Sequence, residues 1–99
     1  MAAYAAAKAE LIGLTQSLGA EHAASGVRVN ALLPGGTVTP SGGEGDADAM
    51  AFIAGLHPMK RMATALEIAQ AALFLLGDRA SFMTRSPMIV DGGMSARLL

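Results

Sequence analysis

Ninety-nine residues suffice for one small domain with a thin core. Seven basic and eight acidic residues are interspersed along the chain and leave a net charge of −1, so nothing in the charge balance draws it to nucleic acid or an anionic membrane. Cysteine is absent, which excludes disulfides and thiolate metal sites, and His22 and His57 lack ligand-like spacing. No run of 18 apolar residues occurs, and Lys8 and Glu10 interrupt any leader-like apolar core, so a cytoplasmic chain is expected.

Residues 2–24 read as a helix rich in Ala, Leu, Lys and Glu, with Leu11, Ile12, Leu14 and Leu18 as its apolar face. Gly13 and Gly19 each cost about 1 kcal/mol relative to Ala in a helix, which implies a packing reason for at least one of them. Gly26 is the natural left-handed cap. Val27 to Leu33 alternates as a strand, and Pro34-Gly35 ends it. A helix followed by a strand fits the repeating unit of a parallel sheet.

Residues 34–58 carry Pro34, Pro40, Pro58 and six glycines around an acidic centre of Glu44, Asp46 and Asp48. A short helix from Ala47 to Leu56 is predicted, with Asp46 as N-cap, in an otherwise mobile loop. Thr64-Ala-Leu-Glu67 has the form of a capping box. It opens a helix over 65–76 with an apolar stripe of Ile68, Ala72, Leu75 and Leu76. A last strand covers Met88 to Val90, Asp91-Gly92-Gly93 turns the chain out, and the tail to Leu99 is unassigned.

Tyr4 and Lys8 stand four residues apart at the start of the first helix, so their side chains share a face. A phenol beside a fixed ammonium is a proton-transfer pair, because the positive charge favours the phenolate. Further on come Gly26-Val-Arg-Val-Asn30-Ala-Leu-Leu-Pro34-Gly35, then Pro34-Gly35-Gly36-Thr37-Val38-Thr39, and finally Val90-Asp91-Gly92-Gly93.

Taken in this order, the motifs resemble the C-terminal part of a short-chain dehydrogenase/reductase, from its Tyr-x-x-x-Lys motif onward. The resemblance implies an α/β fold, a partial Rossmann-type arrangement of helix, strand, loop with helix, helix and strand. Its two parallel strands would be completed by association. Residues 1–99 would form the C-terminal part of the domain, with the glycine-rich dinucleotide turn and the catalytic Ser of the N-terminal half absent. The resemblance further implies that Tyr4 exchanges a proton with a carbonyl or alcohol oxygen. Lys8 would lower the Tyr4 pKa and hydrogen-bond the nicotinamide ribose. Pro34, Gly35, Thr37 (by its backbone) and Thr39 would hold the nicotinamide carboxamide. Asn30 and Arg61 are assigned structural hydrogen bonding, and His57 is read as a loop histidine.

Two departures from the family pattern concern glycine. Lys60 stands where Gly is common, and Arg85 follows Thr84 where Gly is usual, at a position whose backbone an Arg would strain. Ala65 and Leu66 replace a frequent Pro-Glu.

The reading that follows is the C-terminal portion of an NAD(P)-dependent oxidoreductase acting on a small carbonyl or alcohol substrate. The isolated chain is expected to be inactive or nearly so and to bind no NAD or NADP by itself. The alternative is a non-catalytic, self-associating α/β module of the same descent, a homo-oligomer held through its open strand edge and its Ala-rich helix. An unrelated binding protein would require every motif to be a coincidence.

Overall fold

The computed structural model describes residues 2–39 and 47–97, without the side chains of Tyr4, Ala96 and Arg97. The order is α1 (Ala2–His22), β1 (Ala31–Pro34), α2 (Ala47–Leu56), α3 (Ala65–Leu76), β2 (Pro87–Val90) and α4 (Met94–Arg97). β1 and β2 form a two-stranded sheet. The Ala31 amide donates to Ser86 (2.9 Å) and the Gly35 amide to Val90 (3.0 Å), so pairing advances in the same direction on both strands and the pair is parallel. The chain divides into two compact units, Met1–Leu32 with Phe74–Met88 and Leu33–Leu73 with Ile89–Leu99. Among the described residues no helix is long and apolar enough to cross a membrane.

In the first unit, α1 follows from its run of strong helix formers. It ends through a single 3-10 turn over Ala23–Ser25, and Gly26 caps it at φ 80°, as the sequence predicts. The buried stripe differs from the expected one. Leu11 and Leu14 are exposed, while Ile12 and Leu18 are half-buried and Thr15 and Gly19 are buried. The Thr15 hydroxyl meets its burial locally by donating to the Leu11 carbonyl at 2.8 Å. A Cβ on Gly19 would lie 2.6 Å from Arg85 Cγ and 3.0 Å from Thr84 Oγ1, so this glycine is the one with a packing reason; Gly13 meets nothing within 4 Å.

The strand predicted over 27–33 begins only at Ala31. Upstream, the partners are side chains and loop backbone in place of a ladder. The Val29 amide donates to Thr84 Oγ1 at 3.1 Å, and the Arg85 amide donates to the Val29 carbonyl at 2.8 Å. Asn30 Nδ2 donates to Met83 and its Oδ1 accepts from the Ser86 amide, the structural role expected of it. Arg28 donates to the carbonyls of Leu75, Gly77 and Met83, collecting the end of α3 as a cation does at a helix C-terminus.

In the second unit α2 has the predicted bounds; its expected N-cap, Asp46, and the rest of the loop over 40–46 lie outside the described residues. α3 also has its predicted bounds and its capping box. The Thr64 amide donates to Glu67 Oε1 (2.9 Å) and the Glu67 amide to Thr64 Oγ1 (3.1 Å). Arg61 forks onto the same carboxylate at 2.8 and 2.9 Å. The Arg61 hydrogen bond, then the Thr64 amide, pull the Glu67 pKa down to about 2. Leu76, counted on the apolar stripe, is exposed, because α3 ends there and the buried position is Leu75. The unassigned tail starts with α4, which Asp91 caps.

Two non-glycine residues have positive φ, Lys60 (61°) and Arg85 (65°). Both are positions where the family resemblance leads one to expect Gly. Lys60→Gly relieves a left-handed strain of roughly 1–2 kcal/mol against a glycine entropy of roughly 0.5–1 kcal/mol, so a net gain of about 0.5–1 kcal/mol is expected in urea denaturation. Arg85→Gly should gain less, because it deletes the Nε bond to the Gln16 carbonyl (3.0 Å). A loss of stability at Lys60→Gly would mean that its ammonium bond to the Gly55 carbonyl outweighs the strain.

The Glu67 pKa is depressed in the fold, so its contribution is complete above its ordinary 4.5 and disappears as pH falls towards about 2. Glu67→Gln should therefore flatten stability against pH in that window. Asp91 contributes to the residual slope, since its carboxyl is also held down, first by the Ser95 hydroxyl. An unchanged slope in Glu67→Gln would show that the ion pair is spectator to folding.

Candidate functional site

The loop leaving β1 is built by its neighbours in the second unit, residue by residue. The Gly35 amide is taken by Val90. The Gly36 amide donates to His57 Nε2 at 2.9 Å. The Gly36 carbonyl accepts from the Ala63 amide (2.8 Å), and the Val38 amide donates to the Ala63 carbonyl (2.9 Å). These two bonds make a parallel bridge between Thr37 and Ala63. In such a bridge the central residue's own N–H and C=O point away from the partner. Thr37 therefore presents one backbone donor and one acceptor on the side opposite Ala63. Its hydroxyl turns inward and donates to the Gly35 carbonyl at 3.1 Å.

Gly35 and Gly36 do not have positive φ. Their need is steric: a Cβ on Gly35 would lie 2.9 Å from both Asp91 Cα and His57 Nε2, and one on Gly36 2.9 Å from Ile53 Cγ2 and 3.0 Å from His57 Cε1. On this side of the backbone the close approach is made by protein.

His57 is 1% exposed, and both of its ring nitrogens are used. Nδ1 lies 2.9 Å from the Ile53 carbonyl, one turn back in α2. A carbonyl only accepts and the Gly36 amide only donates, so Nδ1 carries the hydrogen and Nε2 is bare. The turn after β2 closes over the same residue. Gly92 (φ 60°) packs on the His57 ring, Gly93 (φ 90°) packs on Pro58, and the Met59 amide donates to the Gly92 carbonyl at 3.1 Å. Asp91 fixes this turn by accepting from the amides of Gly93 (2.9 Å) and Ser95 (3.0 Å) and from the Ser95 hydroxyl. A cavity of about 100 Å³ beside His57 is lined by Gly35, Arg61, Glu67, Asp91 and Gly92 among others.

Three stretches that the sequence offers separately, Pro34-Gly35-Gly36, His57-Pro58-Met59 and Asp91-Gly92-Gly93, thus form one assembly. Of the predicted site residues, Pro34 ends β1 and Gly35, Thr37 and Thr39 lie on this loop. Tyr4 and Lys8 lie one turn apart in α1, in the first unit. His57 is the residue that sequence reasoning missed. The available signal was the Gly35-Gly36 pair, two adjacent positions whose missing side chains require something bulky beside them. Among the described residues no three His, Asp or Glu side chains gather to hold a metal.

Over Gly35–Thr39 the loop has no charged residue. There it offers a paired backbone donor and acceptor, suited to a planar amide.

Comparison with known proteins gives a consistent answer. A family model described as enoyl-(acyl carrier protein) reductase matches residues 1–95. Oxidoreductase UcpA of Escherichia coli (strain K12) is 40% identical over 99 residues, covering 92% of this chain and 38% of its own length. 2-(S)-hydroxypropyl-CoM dehydrogenase 3 of Xanthobacter autotrophicus is 41% identical, covering 97% and 40%. The structure of a 4-hydroxyisoleucine dehydrogenase complexed with NADH superposes with a TM-score of 0.85 at 31% identity, covering 96% of this chain and 40% of that one. The chain spans about two-fifths of the length of the curated relatives it matches. With its helices, parallel strand pair and turn motifs matched nearly end to end, the chain belongs to the short-chain dehydrogenase/reductase family.

Proposed function

We propose that this chain is the C-terminal, nicotinamide-proximal portion of an NAD(P)-dependent oxidoreductase that interconverts a small carbonyl and alcohol. The observation that carries the reading is the Thr37 backbone pair, held outward by bonds to Ala63, His57 and Val90 on either side of it. A carboxamide needs one donor and one acceptor side by side, and the neutral loop supplies them, so the residues present fit the nicotinamide end of the cofactor. Thr39 follows on the same segment and adds a hydroxyl. The NADH in the 4-hydroxyisoleucine dehydrogenase supports the choice of ligand class.

A nicotinamide bound there would supply or accept the hydride. The chain's own part is to hold the carboxamide at Thr37 and Thr39 and to move a proton at Tyr4. In reduction the Tyr4 phenol gives its proton to the substrate oxygen as the hydride arrives at carbon, and in oxidation the phenolate takes it back. The Lys8 ammonium, one turn along α1, would favour that phenolate, and the family resemblance assigns it the nicotinamide ribose.

The isolated chain should neither bind NADH measurably in calorimetry nor reduce a ketone. Supplied with the segment of a relative that precedes its own Tyr-x-x-x-Lys motif, it should oxidise NADH with a ketone present. Tyr4→Phe should then lower that rate by about 100-fold or more. An assembled complex with no activity, or activity indifferent to Tyr4→Phe, would overturn the reading.

A second reading has its own observation. Large apolar side chains are exposed in both units, among them Val27, Leu76 and Phe82 in the first and Phe52, Leu66 and Leu73 in the second. Such surface is the mark of an association face, and here it supports a homo-oligomer. Light scattering should give a mass of at least two chains; a monomer unfolding in one sharp step would exclude the self-associating module.

A further inference from the structure

We propose that His57 is the positioning residue of the Pro34–Thr37 loop. Its neutral ring clamps the Gly36 amide to the end of α2 and so aims the Thr37 backbone, and protonation of the ring releases the loop. The proposal deepens the nicotinamide reading above and rests on it for its ligand.

The Gly36 amide has His57 Nε2 as its acceptor, and the ring's other nitrogen is committed to Ile53. An imidazolium has no acceptor. Protonation would set N–H against N–H at a residue with 1% exposure, and the Gly36 amide would lose its acceptor. Gly36 is also the residue whose carbonyl begins the bridge that orients Thr37. Release of Gly36 therefore loosens one side of the donor–acceptor pair without touching α3.

The charged groups around the ring come from each element packed near it. Asp91 lies on the β2 side, beside Gly35 and next to Gly92. Arg61 and Glu67, paired with each other, line the adjoining cavity from the α3 side. Lys60 turns its ammonium to the Gly55 carbonyl. On α2 the acidic residue is Asp48, in the first turn, at the opposite end from His57. The loop itself, Pro34–Thr39, has no charged residue.

The test is nuclear magnetic resonance on the full chain across the His57 titration. Long-range nitrogen spectra should show the Nδ1–H tautomer at high pH. As the ring protonates, exchange of the Gly36 amide should quicken by about tenfold or more, in step with the ring, while α3 amides stay protected. His57→Gln keeps an acceptor near the Nε2 position and should hold Gly36 protected at every pH. His57→Phe should leave it unprotected at every pH. Gly36 exchange indifferent to the ring, the opposite tautomer, or loss of α3 protection in the same step would overturn the clamp. Should the Phe variant fail to fold, the wild-type titration and the Gln variant decide alone. Failure of the nicotinamide reading looks different: the complemented complex fails to oxidise NADH while the Gly36–His57 coupling stays intact.

Discussion

The second unit depends on one hydrogen bond, from the Gly36 amide to the His57 ring. A loop leaving a short parallel strand pair has polar backbone groups that the ladder no longer serves, and burying them unpaired costs more than the bond itself returns. A side chain carrying an acceptor must therefore reach in, and for it to come this close the loop must have no Cβ. That is why Gly35 and Gly36 are adjacent and why neither needs a left-handed backbone. The same ring then becomes the surface on which the Gly92 turn packs, so the two segments following β1 and β2 are both shaped by one imidazole.

The first unit solves the same problem with other side chains. Arg28 gathers three carbonyls and Asn30 bonds Met83 and Ser86, so Val27–Asn30 is held in place outside any strand. In both units, polar side chains finish the work that two four-residue strands cannot do. This is a consequence of size, since a sheet of two short strands has few ladder bonds to give.

What the sequence made legible was local. Helix formers, a terminal Gly and the Thr64–Glu67 box depend on residues within a turn of one another, and the structure has those elements in their predicted places. The late start of β1 was not legible, because alternation in Val27–Asn30 looks like a strand whether its partner is a ladder or the Thr84 hydroxyl. The apolar face of α1 was misread for a related reason. Composition suggested Leu11 and Leu14, but burial follows what lies opposite, and Arg85 and Thr84 lie against Gly19. His57 was invisible because its two partners lie 4 and 21 residues away, and no periodicity links them. The expectation about Arg85 held, because a left-handed position constrains its residue type wherever it occurs.

The division of labour along the chain follows from these bonds. Every group that shapes the Gly35–Thr37 loop comes from residues 33–73 and 89–99, so the outward Thr37 pair is a property of that unit alone. The proton transfer proposed at Tyr4 has no such independence. Tyr4 and Lys8 stand one turn apart on α1, which does not fix the position of a substrate oxygen, and general acid–base catalysis needs hydrogen-bond distance to that oxygen. Recognition of the nicotinamide end is thus the more self-contained of the two proposed roles. Chemistry is the one that depends on what else the helix of Tyr4 and Lys8 is packed against, since catalytic groups acting as a unit lose far more than their share when one is missing.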